Sequence, residues 1–244
     1  MSVTLADIEA AAERLAGHAV VTPLIESPAL NARWRGRVLI KPETLQRVGA
    51  FKFRGAYNRL VQLSDHQREA GVVAFSSGTP GPGVALAARL LGMPALIVMP
   101  SDAPLVKVEA TLSYGAEVHF YDRPTEDREA IAAELAAARD AIVIPAFDDP
   151  AVIAGQGTVG LELINQADAL GATFDVVVAP IGGGGLMAGV STAVKALSPD
   201  TALVGVEPAG FGDTLASLQH GRRTRVEAAG RSLCDAQHLF AACR

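Results

Sequence analysis

Short runs of valine, isoleucine, leucine and alanine alternate along this chain with longer segments of helical periodicity. The runs at 72–75, 95–99 and 202–206 are the clearest. Alternation of this kind predicts a parallel sheet whose strands are joined by crossover helices. Because successive residues of each run are apolar, helices are expected to cover both faces of the sheet. The predicted fold class is therefore α/β.

The same pattern predicts where the individual elements lie. The predicted strands are 37–40, 72–75, 95–99, 117–121, 141–144, 175–180 and 202–206. The first predicted helix begins at a Thr4–Asp7 capping box and ends at about residue 16, and the second begins at about residue 52. The other predicted helices are 84–91, 104–114, 125–139, 152–166 and 186–197. Ligands of such sheets bind beyond the carboxyl ends of the strands. The turns at 76–83, 181–185 and 207–213 are therefore candidate sites.

Composition argues against two classes of protein. Of the 244 residues, 19% are charged and the net charge is −5, which is not the basic balance of a nucleic-acid binder. No apolar run approaches the ~20 residues that span a bilayer. Residues 1–4 lack the features of a signal peptide, so the cytoplasm is the expected compartment. Cys234 and Cys243 lack the spacing of a zinc site, and a disulfide is not expected in a reducing compartment.

Four consecutive glycines lie between a predicted strand and a predicted helix: Gly182, Gly183, Gly184 and Gly185. Their backbone N–H groups can converge on an anion, and the positive end of the helix adds a favourable potential. A tight turn with close packing is the alternative, but four glycines cost more chain entropy than such a turn requires. The run therefore predicts a phosphate site.

The glycine run also fits a dinucleotide fingerprint. Gly183, Gly185 and Ala188 satisfy G-x-G-x-x-A, and Glu207 lies where a ribose-binding acid would be sought. That fingerprint usually follows the first strand of its fold, whereas several strand–helix units precede this one. A nicotinamide-dependent oxidoreductase is therefore a remote alternative.

Lys52 lies between Phe51 and Phe53 at the start of a predicted helix. Desolvation and the positive helix end both oppose an ammonium there, so the pKa of Lys52 is expected to be lowered. A neutral amine is what covalent attachment to a carbonyl compound requires. On its own, however, a lysine at a helix start is more often a surface charge.

Three motifs follow one another along the chain. They are K-x-E-x-x-Q-x-x-G-A-F-K-x-R-G-A at 41–56, Ser-Ser-Gly at 76–78 and G-G-G-G-L at 182–186. Together they resemble the threonine/serine dehydratase and serine racemase family of pyridoxal-phosphate enzymes, over residues 22–235. The resemblance implies the second fold type of these enzymes, which is tryptophan synthase β-like. That fold is a two-lobed parallel or mixed sheet with helices on both faces.

The resemblance also implies how the chain is organised and what it does. Residues 1–45 and 146–244 would form a larger cofactor lobe, and residues 46–145 a smaller lobe that carries the Ser-Ser-Gly turn. The implied reaction converts threonine or serine to a 2-keto acid and ammonia. The implied partner is a small amino-acid substrate, without nucleic acid or membrane, and the protein would be a possible homo-oligomer.

Carried over residue by residue, the resemblance assigns Lys52 as the residue that holds the cofactor covalently and takes the Cα proton of the substrate. The implied cofactor-binding residues are Phe51, Lys52, Thr79, Gly182, Gly183, Gly184 and Gly185. Ser76, Ser77 and Gly78 would bind the substrate carboxylate, and in racemases Ser77 would be the acid/base opposite the lysine. The alternative for Ser76 and Ser77 is a helix N-cap.

A divalent cation is also implied. In the family a glutamate, a backbone carbonyl and an aspartate follow a strand, and Glu207, Phe211 and Asp213 fit that spacing. Two carboxylates with carbonyl and water oxygens suit Mg²⁺ or Ca²⁺. The alternative is that Asp213 caps a helix and Glu207 is solvated.

Two features depart from the family pattern. Thr79, Pro80, Gly81 and Pro82 replace Asn-His-(Ala/Gly)-Gln, and Pro80 removes a backbone N–H from a turn whose amides bind carboxylate. After 235 the sequence no longer resembles the family, whose members continue with strands and helices that cover the sheet. These departures leave a truncated paralogue that binds cofactor without turnover as one alternative, and a racemase, which Ser77 would permit, is the other.

Overall fold

The structure is a computed structural model, and it describes residues 2–76 and 80–224. The strands are β1 (Ile25–Glu26), β2 (Leu39–Ile40), β3 (Val72–Phe75), β4 (Ala95–Pro100), β5 (Glu117–Tyr121), β6 (Ile142–Ile144), β7 (Val176–Pro180) and β8 (Ala202–Val206). The helices are α1 (Leu5–Leu15), α2 (Pro28–Trp34), α3 (Lys52–Leu60), α4 (Asp65–Ala70), α5 (Pro80–Leu90), α6 (Leu105–Ser113), α7 (Arg128–Arg139), α8 (Pro150–Ala169), α9 (Gly185–Leu197) and α10 (Asp213–His220). None of these helices is long and apolar enough to cross a membrane.

Parallel pairing joins most of the strands. β5, β4, β3 and β6 form a parallel sheet in that order, with Val72 opposite both Ala95 and Ile142. β7 and β8 form a second parallel pair, and β1 and β2 form a short antiparallel pair. This architecture confirms the predicted α/β class with parallel or mixed sheets.

The core lies on both faces of the four-stranded sheet. Val72 on β3 packs on the side of α3 and α5, and its neighbour Val73 packs on the side of α7. β7 differs, because Val177 is buried whereas Val176 and Val178 are 48% and 60% exposed. The prediction of two covered faces therefore holds for the four-stranded sheet but is wrong for β7 within the described residues.

Most elements lie within a few residues of the sequence prediction. β3, β5 and β8 agree with it at both ends, whereas β2 is two residues long instead of four. α5 begins at Pro80 rather than at 84, because proline is favoured in the first helical turn. The prediction did not include α2, α4, α10 or β1, all of which are short. The division into lobes at 45/46 and 145/146 stays a prediction.

Four charged side chains of alternating sign lie largely buried between α3 and α8: Lys41, Glu43, Arg54 and Glu162. The side chain of Arg54 is 1% exposed, and it donates to Glu43 Oε2 at 2.8 Å and to Glu162 Oε1 at 2.6 Å. Lys41 Nζ donates to Glu162 Oε2 at 2.6 Å and to the carbonyl oxygen of Thr22 at 2.7 Å. Because each charge has a partner of opposite sign, the cluster buries no unpaired ion.

Glycines let the backbones of α3 and α8 touch. A Cβ atom at Gly55 would lie 2.8 Å from the carbonyl oxygen of Val152, and one at Gly155 would lie 2.7 Å from the Cα of Gly55. Only glycine permits so close an approach. Together with the charge cluster, this crossing fixes the position of α3, whose first residue is Lys52.

We expect the substitution Arg54→Met to destabilise the fold strongly. It leaves the carboxylates of Glu43 and Glu162 without their main partner, and breaking a buried ion pair in this way costs about 3–5 kcal/mol. Urea denaturation would measure the loss in the free energy of unfolding. Arg37→Met is the matched control, because the Arg37–Glu26 pair is solvent-exposed and contributes little. Equal losses in the two variants would contradict the structural role of the cluster.

Candidate functional site

Lys52 begins α3, and its side chain lines a small cavity beyond the end of β6. Its Nζ donates a hydrogen bond to the carbonyl oxygen of Ala146 at 3.0 Å. The ring of Phe51 lies beside the amine, with 5.2 Å between Nζ and the ring centroid. Val84 of α5 and Ile144 of β6 contribute to the apolar wall. The amine is therefore held by one carbonyl in largely apolar surroundings.

Burial lowers the pKa of Lys52 from its ordinary value to about 8. No other ionisable side chain among the described residues lines the cavity, so no negative charge offsets the desolvation. At pH 7 about a tenth of such amines are neutral, against fewer than about one in a thousand at the ordinary lysine value. The lowered pKa predicted from the sequence is confirmed, with burial as its cause.

The four glycines form the turn between β7 and α9. Gly184 has a φ of +87°, a left-handed conformation that favours glycine, and α9 begins at Gly185. A Cβ atom at Gly182 or Gly184 would meet no other atom within 4 Å, so the turn has open space on that side. The exposed turn lies at the positive end of α9, which is a geometry that suits an anion.

Ala146 and Phe147 connect the lysine to the glycine turn. The carbonyl of Ala146 accepts the hydrogen bond from Lys52, and the ring of Phe147 packs against Gly183. A Cβ atom at Gly185 would lie 2.9 Å from the carbonyl oxygen of Phe147. The structure therefore brings the lysine and the glycine turn together against one two-residue segment.

Ser76 follows β3 and is buried, and its Oγ accepts a hydrogen bond from the backbone N–H of Gly81 at 2.8 Å. This contact favours the N-cap alternative for Ser76. Pro80 and Pro82 lie in the first turn of α5 and have no N–H to offer to an anion. The other predicted residues of this turn lie outside the described residues: Ser77, Gly78 and Thr79.

The predicted cation ligands Glu207, Phe211 and Asp213 follow β8. The carboxylate of Glu207 accepts hydrogen bonds from the backbone N–H groups of Thr214 at 2.9 Å and Leu215 at 3.0 Å, so it caps α10. The predicted alternative, in which Asp213 caps the helix and Glu207 is solvated, is therefore wrong. Glu207 caps the helix, and Asp213 is its first residue. Within 2–76 and 80–224 no group of three His, Cys, Asp or Glu side chains is placed to hold a metal ion. The cation site stays a prediction.

Sequence reasoning missed two residues near the site. Gln156 of α8 lines the Lys52 cavity and is 1% exposed. Its flanking glycines are a signal of close helix packing that the sequence contains. Arg128 begins α7, and its guanidinium lies 5.3 Å from the ring centroid of Phe75, the residue before Ser76. That contact depends on tertiary packing, and no local pattern indicates it.

These residues fit the cofactor that the sequence resemblance implies. Pyridoxal phosphate requires a desolvated amine for its aldehyde and backbone N–H groups for its phosphate. Lys52 provides the amine. The glycine turn provides the backbone N–H groups. Because Gly182 and Gly184 have no Cβ atoms, the space beside the turn stays open.

Comparisons with known proteins agree with this fit. A family model described as "Pyridoxal-phosphate dependent enzyme" matches residues 15–239. An L-threo-3-hydroxyaspartate ammonia-lyase from Pseudomonas sp is 51% identical, over 91% of this chain and 68% of its own length. A serine racemase from Schizosaccharomyces pombe is 42% identical, over 92% of this chain and 68% of its own length. The chain thus spans about two thirds of the length of these relatives.

A solved structure is similar over nearly the whole chain. It is a threonine deaminase from the organism abbreviated T.th., which is 45% identical and superposes with a TM-score of 0.88. The match covers 97% of this chain and 75% of that one. At this level of identity and overlap, the two chains share their fold.

We expect Gly183→Ala to destabilise the glycine turn. The new methyl group would overlap the ring of Phe147, and forcing extra volume into a packed site costs about 1–3 kcal/mol. Thermal denaturation would measure the fall in melting temperature. Gly182→Ala is the matched control, because its methyl group enters open space. A Gly183→Ala protein as stable as Gly182→Ala would mean that Phe147 does not pack on the turn.

Proposed function

Since this chain belongs to the family of pyridoxal-phosphate dependent enzymes, we propose that it dehydrates and deaminates a β-hydroxy amino acid, threonine or serine, to a 2-keto acid and ammonia. One observation carries the proposal: the desolvated amine of Lys52 and a glycine turn that can bind phosphate both contact the segment of Ala146 and Phe147. The similarity to a threonine deaminase over 97% of the chain supports it.

The residues of the chain have distinct roles in this reaction. When bound, the cofactor supplies an electron sink for the charge that develops at the substrate Cα. Lys52 would hold the cofactor covalently, and its amine, when free, would take the Cα proton of the substrate as general base. A pKa of about 8 suits a base that works near neutral pH. The amides of the glycine turn and the positive end of α9 would hold the phosphate.

A racemase is the alternative within the family. The sequence resemblance would make Ser77 the acid/base opposite Lys52, and the serine racemase of Schizosaccharomyces pombe is 42% identical to this chain. Chiral analysis of serine recovered after incubation discriminates the two reactions. A racemase yields both enantiomers, whereas an ammonia-lyase leaves the remaining serine in one form.

Binding of cofactor without turnover is a second alternative. Pro80 and Pro82 have no N–H, and the N–H of Gly81 already donates to Ser76, so the first turn of α5 offers few amides to a substrate carboxylate. Release of ammonia from threonine or serine would exclude this alternative.

We further propose a cytoplasmic location, and a homo-oligomer as the assembly. The acidic net charge of −5 is compatible with the cytoplasmic location. Among the described residues, the uncovered face of β7 offers an apolar surface on which a second copy of the chain could pack.

We expect Lys52→Ala to abolish both the visible absorbance of covalently bound cofactor and the release of ammonia, because no other amine of the described residues lines the cavity. The spectrum of the purified protein after addition of pyridoxal phosphate measures the first effect. Lys107→Ala on α6 is the control and should retain both signals. A Lys52→Ala protein that kept the absorbance band would refute the assignment.

A substrate with a second carboxylate also fits the region around the turn. The Pseudomonas sp relative, 51% identical, is named for L-threo-3-hydroxyaspartate, a β-hydroxy amino acid with a β-carboxylate. Arg128 brings a cation to Phe75, immediately before the proposed substrate turn. Its guanidinium makes no ion pair with any carboxylate of the described residues, and a guanidinium can bind a carboxylate through two parallel hydrogen bonds. We therefore propose 3-hydroxyaspartate as a second candidate substrate.

Arg128→Met should separate the candidate substrates. The methionine retains apolar contact with Phe75 but removes the charge, so kcat/KM for 3-hydroxyaspartate should fall about tenfold to a hundredfold while kcat/KM for threonine changes little. Arg123→Met is the control, since Arg123 pairs with Asp102 at 3.0 Å. Equal losses on both substrates would contradict the role of Arg128 as a partner of the second carboxylate.

A further inference from the structure

The cavity beside Lys52 is small, and its lining is mostly apolar. Its volume is about 10 Å³, which is close to the least space that holds one water molecule. α3, α5, β6 and α8 all contribute side chains to it. Within the described residues, only Lys52 and Gln156 place polar side-chain groups in the lining. A charge on Lys52 therefore has no ionised neighbour in the wall.

The side-chain amide of Gln156 is paired at only one end. Its Oε1 accepts a hydrogen bond from the backbone N–H of Gly55 at 3.3 Å. Its Nε2 is buried and has no hydrogen-bond partner among the described residues. A buried amide donor that stays unpaired is costly, so such groups in proteins almost always find a partner, often an ordered water.

The position of the amide relates it to Lys52. Nε2 is the atom closest to where a Cβ atom on Gly55 would lie, so the amide rests on the surface of α3. Gly55 follows Lys52 by three residues, which places the two on the same face of that helix. Gln156 and Lys52 therefore line one cavity, and the amide of Gln156 rests on α3 one helical turn from the lysine.

We propose that Gln156 is a positioning residue for Lys52: through one water molecule in this cavity, its buried amide orients the lysine amine. The water oxygen accepts hydrogen bonds from Gln156 Nε2 and from Lys52 Nζ, which already donates to the carbonyl of Ala146. The inference rests on the proposed function, since it concerns the amine that attaches the cofactor. It gives this glutamine of α8 a task at the site in addition to its contact with Gly55.

This arrangement has a consequence for the protonation of Lys52. The water oxygen is an acceptor for the ammonium, and it partly compensates the desolvation that lowers the pKa to about 8. Removal of the amide donor removes the anchor of the water. The ammonium then loses an acceptor, and the pKa of Lys52 should fall further.

The test follows the rate at which the full-length chain attaches added pyridoxal phosphate, measured by absorbance across a series of pH values. Because only the neutral amine attacks, the pH at half-maximal rate reports the pKa of Lys52. In the unchanged protein this midpoint should lie near 8. In Gln156→Met it should lie about one unit lower, as expected for the loss of one hydrogen bond to a charged group.

Two further variants make the result specific. Gln156→Glu retains an acceptor for Gly55 but directs a carboxylate at the cavity, so the midpoint should rise above that of the unchanged protein. Gln62→Met on the exposed surface is the matched control and should leave it unchanged. Thermal denaturation of each variant establishes that it is folded before its midpoint is compared.

The outcomes separate the inference from the proposed function. If Gln156 only packs α8 on α3, the methionine fills the same space and the midpoint stays at the value of the unchanged protein. That result, or a rise of the midpoint towards the ordinary lysine value, overturns the inference. If the unchanged protein attaches no cofactor at any pH, the proposed function fails instead.

Discussion

The contact between α3 and α8 is the constraint on which the site depends. Gly55 and Gly155 let the two backbones meet, and Arg54 reaches past the crossing to Glu162 on α8. Since Lys52 begins the same helix, this crossing positions its backbone, and the hydrogen bond to Ala146 positions its amine. The motif K-x-E-x-x-Q-x-x-G-A-F-K-x-R-G-A thus contains one residue for chemistry and several that hold it in place.

The pKa values of two buried cations of α3 shift in opposite directions. Burial alone would lower the pKa of Arg54, but its hydrogen bonds to Glu43 and Glu162 raise the pKa above its ordinary value. Lys52 is also desolvated and has no carboxylate beside it, so burial lowers its pKa to about 8. The same helix therefore carries a permanent structural charge and a reactive amine, separated by one residue. The difference lies in the placement of carboxylates and not in the depth of burial.

Much of the fold follows from local patterns in the sequence. β3, β5 and β8 were predicted to the residue because each is a short run bounded by turn residues. α2 was missed although Ser27 and Pro28 provide a helix-start signal, because its seven residues are too few to show a helical period. The sequence prediction starts α5 too late, because Pro80 and Pro82 also suit a turn, whereas in the structure they lie in the first helical turn.

The site was only partly accessible from the sequence. Lys52 and the glycine run were found through the order of the motifs, which a single chain displays. The contacts of Lys52 with Ala146 and of Gly55 with Gln156 join residues 94 and 101 positions apart. Such pairs are set by how the helices cross, and no local period reveals them.

The starts of three helices meet around Lys52, and this convergence accounts for the chemistry of the site. α3 begins at Lys52 itself, α5 begins with Pro80 in the wall of the same cavity, and α9 begins at the glycine turn beside Phe147. Each helix directs the positive end of its dipole to this region. That potential favours anions such as a phosphate or a carboxylate, and it disfavours an ammonium. The backbone therefore promotes the binding of an anionic cofactor, in the same direction as the burial that favours the neutral state of the amine that must attach to it.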